Sequence, residues 1–233
     1  MTGTSWDILL LGGASGVGKS RVAAQLADET KGFVVEFDDV VSAVEAMTTA
    51  EHHPALHHFD DIPDTAQLTI EQVLDLQIAT ARALEPAVSG VVRNRLTVDV
   101  PAVIEGDYLT PAAAAAAIHE GRAAGRRVRA VFLHEEDPDR IAANYASREP
   151  DSGEQRHRAQ VSAEYSRWLG GQARLHALPV VACRPWDTLA ARIERVLGAE
   201  GAERERSGQF NCRTGEPDLP TVSASPHTPI DRG

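Results

Sequence analysis

Between the apolar run Ile8 to Leu11 and a helix-forming stretch from Ser20, the chain reads Gly13-Ala14-Ser15-Gly16-Val17-Gly18-Lys19-Ser20. The pattern is Gly-x4-Gly-Lys-Ser, set after a strand and before a helix, and it constrains the fold more than any other segment. Glycines at the ends of the x4 spacer let backbone N–H groups turn inward. The helix that follows adds the positive end of its dipole. Such a concavity suits the phosphate chain of a nucleotide. Lys19 is expected to reach the β- and γ-phosphate oxygens, and the Ser20 hydroxyl to complete the shell of a Mg2+ ion. A nucleoside triphosphate with Mg2+ is therefore the expected ligand, with every residue from Gly13 to Ser20 in contact with nucleotide.

The rest of the chain alternates short apolar runs with helical patterns. Strands are expected at 6–12, 33–37, 102–105, 128–133 and 180–182, and helices at 20–29, 40–48, 69–95, 111–120, 159–177 and 188–197. Pro86 lies inside the longest helical pattern and predicts a kink or break there. Alternation of this kind implies a parallel sheet with helices on both faces. The expected class is α/β, a P-loop NTPase three-layer sandwich with a five-stranded parallel sheet and a small lid. Residues 1–198 form the expected domain, with the lid at about 135–158. From 199 to 233 the chain loses apolar periodicity and gains proline, glycine, serine and threonine, which reads as a disordered tail.

A length of 233 residues suits one domain with a substantial core. The formal net charge of −11 argues against a protein that grips nucleic acid by its backbone. A small anionic substrate is still possible, because a local arginine cluster binds one whatever the total charge. The two cysteines, Cys183 and Cys212, lack metal-type spacing and suggest no disulfide framework, so a reducing cytoplasm is expected. No stretch approaches the length of a membrane span. Oligomeric state has no signal.

In sheets of this type ligands sit beyond the carboxyl ends of the strands, and acidic residues fall there twice. Asp38 and Asp39 follow the second strand; Glu105 and Asp107 follow the third. A carboxylate after the second strand can take the proton of an attacking hydroxyl, and Asp38 is the expected base. One after the third can hold magnesium or orient the nucleophile; Glu105 is assigned to the metal with Ser20, and Asp107 to catalysis. Helix capping is the competing role, and it suits Asp39 best.

Arg140, Arg148, Arg156 and Arg158 lie in the charged segment after the fourth strand. Guanidinium groups carried by a closing segment stabilise charge on a moving phosphoryl group. Arg148 is the expected catalytic arginine, and Arg140 a nucleotide contact. Arg82, Arg93 and Arg95 are candidates for an anionic group on the acceptor. Arg184-Pro185-Trp186 stands where a base-contacting loop would lie, with Arg184 as the nucleotide contact. His52, His53, His57 and His58 suggest a metal cluster, but no cysteine or closely spaced carboxylate completes one. Cys183 reads as a small buried residue at a strand end.

With these parts together the chain resembles the small P-loop kinases, a group that includes gluconate, shikimate, adenylate and chloramphenicol kinases. Within that group it resembles 2-phosphoglycerate kinase-like proteins, through Leu11 to Ser20 and through Val103-Ile104-Glu105-Gly106-Asp107-Tyr108-Leu109-Thr110-Pro111. Those proteins carry an apolar residue where Asp107 stands here. The resemblance implies phosphorylation of a small hydroxylated metabolite by ATP and Mg2+. The rival reading is a non-kinase P-loop ATPase or a nucleotide-binding regulatory protein. A GTPase is disfavoured by the missing Asn-Lys-x-Asp motif, and an AAA-type motor would need more chain and a second helical domain.

Overall fold

A computed structural model describes residues 5–60, 62, 64–153 and 155–199. Five strands form one parallel sheet: β1 (Ile8–Gly13), β2 (Phe33–Glu36), β3 (Ala102–Gly106), β4 (Val128–His134) and β5 (Val180–Ala182). Their spatial order is β2-β3-β1-β4-β5. The central strand β1 is wholly buried and reads Ile-Leu-Leu-Leu-Gly-Gly, the continuous apolar run expected of a strand covered on both faces. Its neighbours lie on opposite sides, with Leu11 level with Glu105 of β3 and Val131 of β4. The chain thus switches direction across the sheet at β1, and the crevice at its carboxyl end is the ligand position of such folds.

The helices are α1 (Lys19–Thr30), α2 (Phe37–Met47), α3 (Ile70–Ala83), α4 (Glu85–Leu96), α5 (Pro111–Ala123), α6 (Pro138–Arg148), α7 (Arg156–Leu175) and α8 (189–199). The expected break in the long helix falls at Leu84, which ends α3 and starts α4. Pro86 occupies the first turn of α4, where its missing N–H costs nothing. Thr69 and Gln72 form a reciprocal capping box at the start of α3.

The second strand is one residue shorter than expected, and α2 begins at Phe37 instead of Val40. Burial of the Phe37 ring against Gly106 turns the chain early. Asp38 and Asp39 then fall in the first turn of α2, where the helix dipole favours negative charge. Asp39 is therefore not the cap; Glu36 holds that position and makes no side-chain cap hydrogen bond.

The expected lid, 135–158, is largely helical. It contains α6, a short 3-10 turn (Pro150–Ser152) and the first turn of α7. Ile141, Tyr145, Ala159 and Ala163 form a small apolar cluster of their own, separate from the main core. The closing helix runs on to residue 199, and the remainder of the expected tail lies outside the described residues. No helix among the described residues is long and apolar enough to cross a membrane.

Candidate functional site

The phosphate-type loop connects β1 to α1. Gly16 and Gly18 take left-handed backbone angles, with φ of 78° and 85°, a region that side chains with a Cβ disfavour. The loop is held from outside by two elements. Asn144 of α6 donates from Nδ2 to the Gly16 carbonyl at 2.7 Å. The Trp186 ring covers Gly18 so closely that an added Cβ would lie 1.9 Å from it.

Lys19 is buried, 6% exposed. Its ammonium donates to the Ala14 carbonyl at 3.0 Å and is paired with the Asp107 carboxylate. Burial alone would lower its pKa, but Asp107, Glu105 and Asp38 outweigh that and raise it, so the charge is kept. Glu105 is also buried, and it accepts a hydrogen bond from the Ser20 side chain. Burial raises its pKa, with the negative neighbours Asp38 and Asp107 adding to the effect against Ser20 and Lys19. Asp38 accepts the backbone N–H of Asp107, and burial followed by the Asp107 charge raises its pKa too.

Asp38, Glu105 and Asp107 therefore line one cleft with Lys19 and Ser20, as the sequence suggested, in a volume of about 480 Å3. Three carboxylates face one ammonium there. The donor set is oxygen only, the chemistry of Mg2+ binding. No group of three or more His, Cys, Asp or Glu among the described residues is arranged as a complete metal cage. Mg2+ does not require one, since it keeps waters and takes substrate phosphates alongside one or two protein ligands. The residues fit the group.

The opposite wall of the cleft comes from α6 and α7. Arg148 and Arg158 line it, with Tyr145 between them. The Arg158 guanidinium lies 4.2 Å from the Tyr145 ring centroid and that of Arg148 lies 5.5 Å away. Both arginines bind Glu149, at 2.5 Å from Arg148 and 2.8 Å from Arg158. Hydrogen bonds from Arg148, joined by those of Arg158, hold the Glu149 pKa low.

Arg140 and Arg184 lie outside this cleft. They line an adjoining open hollow with Asp139, Pro185 and Trp186. Arg184 donates to Asn144 Oδ1 at 3.0 Å and stacks on Trp186 with 5.2 Å to its centroid. The buried Glu135 faces both arginines, at 3.7 Å from Arg140 and 3.6 Å from Arg184. The Cys183 thiol, buried as expected, also donates to Glu135, and its pKa is pushed up to about 12 by burial and by Glu135. Trp186 borders both spaces.

All three candidate acceptor arginines are used elsewhere. Arg82 stacks over Trp168, Arg93 donates to the Ser89 carbonyl, and Arg95 binds Asn94. The histidine segment is not a cluster around one point. His57 bridges Thr48, at the end of α2, and Asp60, while His52 binds Thr49. Asn144 and Tyr145 are the site residues that sequence reasoning missed. The only available signal was the Ile141/Tyr145 spacing, an i, i+4 apolar pair hidden in a charged segment.

Comparison with known sequences gives a match to a family described as AAA domain, over residues 8–170. The chain belongs to this AAA domain family. The description names a domain and not a motor, and the matched span runs from β1 into α7. No curated protein matches the sequence. Among solved structures, a gluconokinase from Sinorhizobium meliloti 1021 is similar at a TM-score of 0.51 and 18% identity, covering 90% of this chain and 98% of its own. A shikimate kinase from Acinetobacter baumannii in complex with shikimate has a TM-score of 0.46 and 14% identity, over 84% of this chain and 94% of its own. The likeness to the gluconokinase is one of fold, and the fold expected from the small P-loop kinases is the one this AAA domain adopts.

Proposed function

We propose that this AAA domain is an ATP-dependent phosphotransferase that moves the γ-phosphate of ATP, with Mg2+, to a hydroxyl of a small metabolite. The supporting observation is the convergence, in one cleft, of the phosphate loop, Lys19, Ser20, the carboxylates Asp38, Glu105 and Asp107, and the arginines of α6 and α7. Residues 1–198 act as one kinase domain in the cytoplasm, and the segment 135–158 acts as its lid.

Backbone N–H groups from Gly13 to Ser20 cradle the phosphates of the nucleotide. Arg184 and Trp186 offer a flat stacked surface for its base, with Arg140 at the edge. Ser20 and Glu105 are the residues that would hold Mg2+; the ion supplies charge neutralisation on the phosphate oxygens. Phosphate oxygens compete with Asp107 for the Lys19 ammonium, so nucleotide binding releases a carboxylate beside the acceptor. In the transfer step the acceptor hydroxyl oxygen bonds to the γ-phosphorus while the bond from that phosphorus to the bridging oxygen breaks. The hydroxyl proton passes to Asp38, whose raised pKa suits a base, and ADP leaves with the bridging oxygen's electron pair. Asp107 orients the hydroxyl. Arg148 stabilises charge on the group in flight.

The test is ATP turnover measured with and without hydroxylated metabolites, for the native protein and for Asp38→Asn. Acceptor-dependent turnover that falls in the variant supports the kinase. Turnover indifferent to every acceptor and retained in Asp38→Asn favours a P-loop ATPase or regulator and ends the kinase reading.

A further inference from the structure

The phosphate loop is anchored at Gly16 and at Gly18, and both anchors lead to one side chain. At Gly16 the anchor is Asn144 of α6, whose Nδ2 donates to the backbone carbonyl at 2.7 Å. At Gly18 it is the Trp186 ring, which fills the space a Cβ would need. Arg184 touches both. It donates to Asn144 Oδ1 at 3.0 Å, and its guanidinium lies over the Trp186 ring, 5.2 Å from the centroid.

Chemistry fixes which way the Asn144 amide faces. A guanidinium only donates and a backbone carbonyl only accepts, so Oδ1 must face Arg184 and Nδ2 must face Gly16. An ionised aspartate in the same place would have no donor for the carbonyl, and a leucine would have neither group. The peptide joining Gly16 to Val17 is planar, so holding its carbonyl also sets the direction of the Val17 N–H, one of the donors assigned to phosphate. Gly16 needs that restraint. At φ 78° and without a Cβ, it does little to limit rotation of the peptides beside it.

Arg184 is itself held from behind. Glu135 is buried, and its Oε2 lies 3.6 Å from Arg184 Nε and 3.7 Å from Arg140 Nη1. Glu135 Oε1 accepts the Asp137 N–H at 3.2 Å, which fixes the carboxylate just ahead of α6. Arg184 Nε is buried and makes no hydrogen bond among the described residues. The pairing with Glu135 therefore acts through charge, and the directional bond of this guanidinium is the one to Asn144.

We infer that Arg184 is a positioning residue for the phosphate loop, acting through Asn144, besides the base contact suggested above. A base stacked on Arg184 and Trp186 presses the guanidinium towards Asn144 and so steadies the Gly16 peptide. The base and phosphate ends of the nucleotide then bind cooperatively. This rests on the nucleotide site of the reading above and is independent of its acceptor.

The experiment takes the base away from the ligand. Inorganic tripolyphosphate with Mg2+ is titrated calorimetrically into the full chain, into Arg184→Gln, into Asn144→Leu and into the double variant. Each single substitution is expected to weaken tripolyphosphate binding by about tenfold, the scale of one hydrogen bond to a charged group. The double variant should bind no more weakly than Asn144→Leu, because Arg184 works through Asn144. Asn144→Ala gives the same cycle where the leucine variant melts below the assay temperature. Tripolyphosphate affinity untouched by Arg184→Gln would mean that Arg184 serves the base alone. An Arg184→Gln effect that persists undiminished in the Asn144→Leu background would mean that it attracts the polyanion by charge. Either result overturns the relay and leaves the nucleotide site standing. No tripolyphosphate binding to the native protein overturns the phosphate site itself, and the relay with it.

Discussion

The Lys19 ammonium, which the sequence assigns to phosphate, is bonded to the Asp107 carboxylate and to the Ala14 carbonyl of its own loop. Asp107 in turn gives its backbone N–H to Asp38, and Glu105 faces the same ammonium. One cation thus organises three carboxylates that would otherwise repel one another. Its role in folding is therefore tied to the role proposed for it in chemistry.

Lys19→Ala is therefore expected to act twice. Phosphoryl transfer falls by about a thousandfold, the scale of losing one preorganised charge at a transition state. Stability falls as well, by about 3 kcal/mol, because a buried partner is removed and carboxylates are left unpaired. The sign with pH follows from the raised pKa values of Asp38 and Glu105. The folded state binds protons at these groups more readily than the unfolded chain, so their destabilising charge is relieved as pH falls from neutrality towards the ordinary values of 3.8 and 4.5. The melting deficit of the variant should be largest at neutral pH and shrink in mild acid. A pH-independent deficit, or unaltered turnover, contradicts this account.

Asp38 carries a related expectation for catalysis. Its pKa is raised by burial and by Asp107, so the acid limb of the kcat profile should lie above the usual aspartate value of 3.8. The rate falls as pH drops through that raised value, where the base takes up its proton. Asp38→Asn should lower kcat by about a hundredfold or more. Retention of both rate and limb in that variant would move the base to Asp107.

The legible parts of this molecule were those in which local sequence and chemistry coincide. Gly13 to Ser20 identifies its own conformation, Pro86 its own break, and the acidic residues at strand ends their own position. Phe37 was misread because its burial depends on Gly106, far along the chain, and nothing local records that contact. The helix α6, within the segment expected as a lid, escaped for a similar reason. Its apolar residues are few, and their partners Ala159 and Ala163 belong to the next helix. Asn144 carries no pattern at all; topology alone brings it to the phosphate loop.

Arg148 and Arg158 share Glu149 beside the ring of Tyr145, and in the proposed reaction the moving phosphoryl group would compete with Glu149 for Arg148. Arg148→Ala should lower kcat by about tenfold to a hundredfold while changing ATP affinity far less, because the arginine acts on charge that develops during transfer. Steady-state kinetics beside equilibrium ATP titration separate the two. Equal losses would make Arg148 a simple binding residue.

Gly18 is constrained by two independent effects, and they can be pulled apart. Its φ of 85° disfavours any Cβ, and the ring of Trp186 occupies the space that a Cβ would need. Gly18→Ala should destabilise the loop by about 1–2 kcal/mol from backbone strain, with overpacking adding about 1–3 kcal/mol. Trp186→Ala in the same chain removes the overlap and leaves the strain, so the double variant should regain part of the melting temperature lost by Gly18→Ala. It should not regain ATP affinity, because the strained loop still misaligns its N–H groups and the surface next to Arg184 is gone. Full recovery of both properties would mean that the glycine is needed only to make room for the indole, and that its left-handed geometry has no part in holding phosphate.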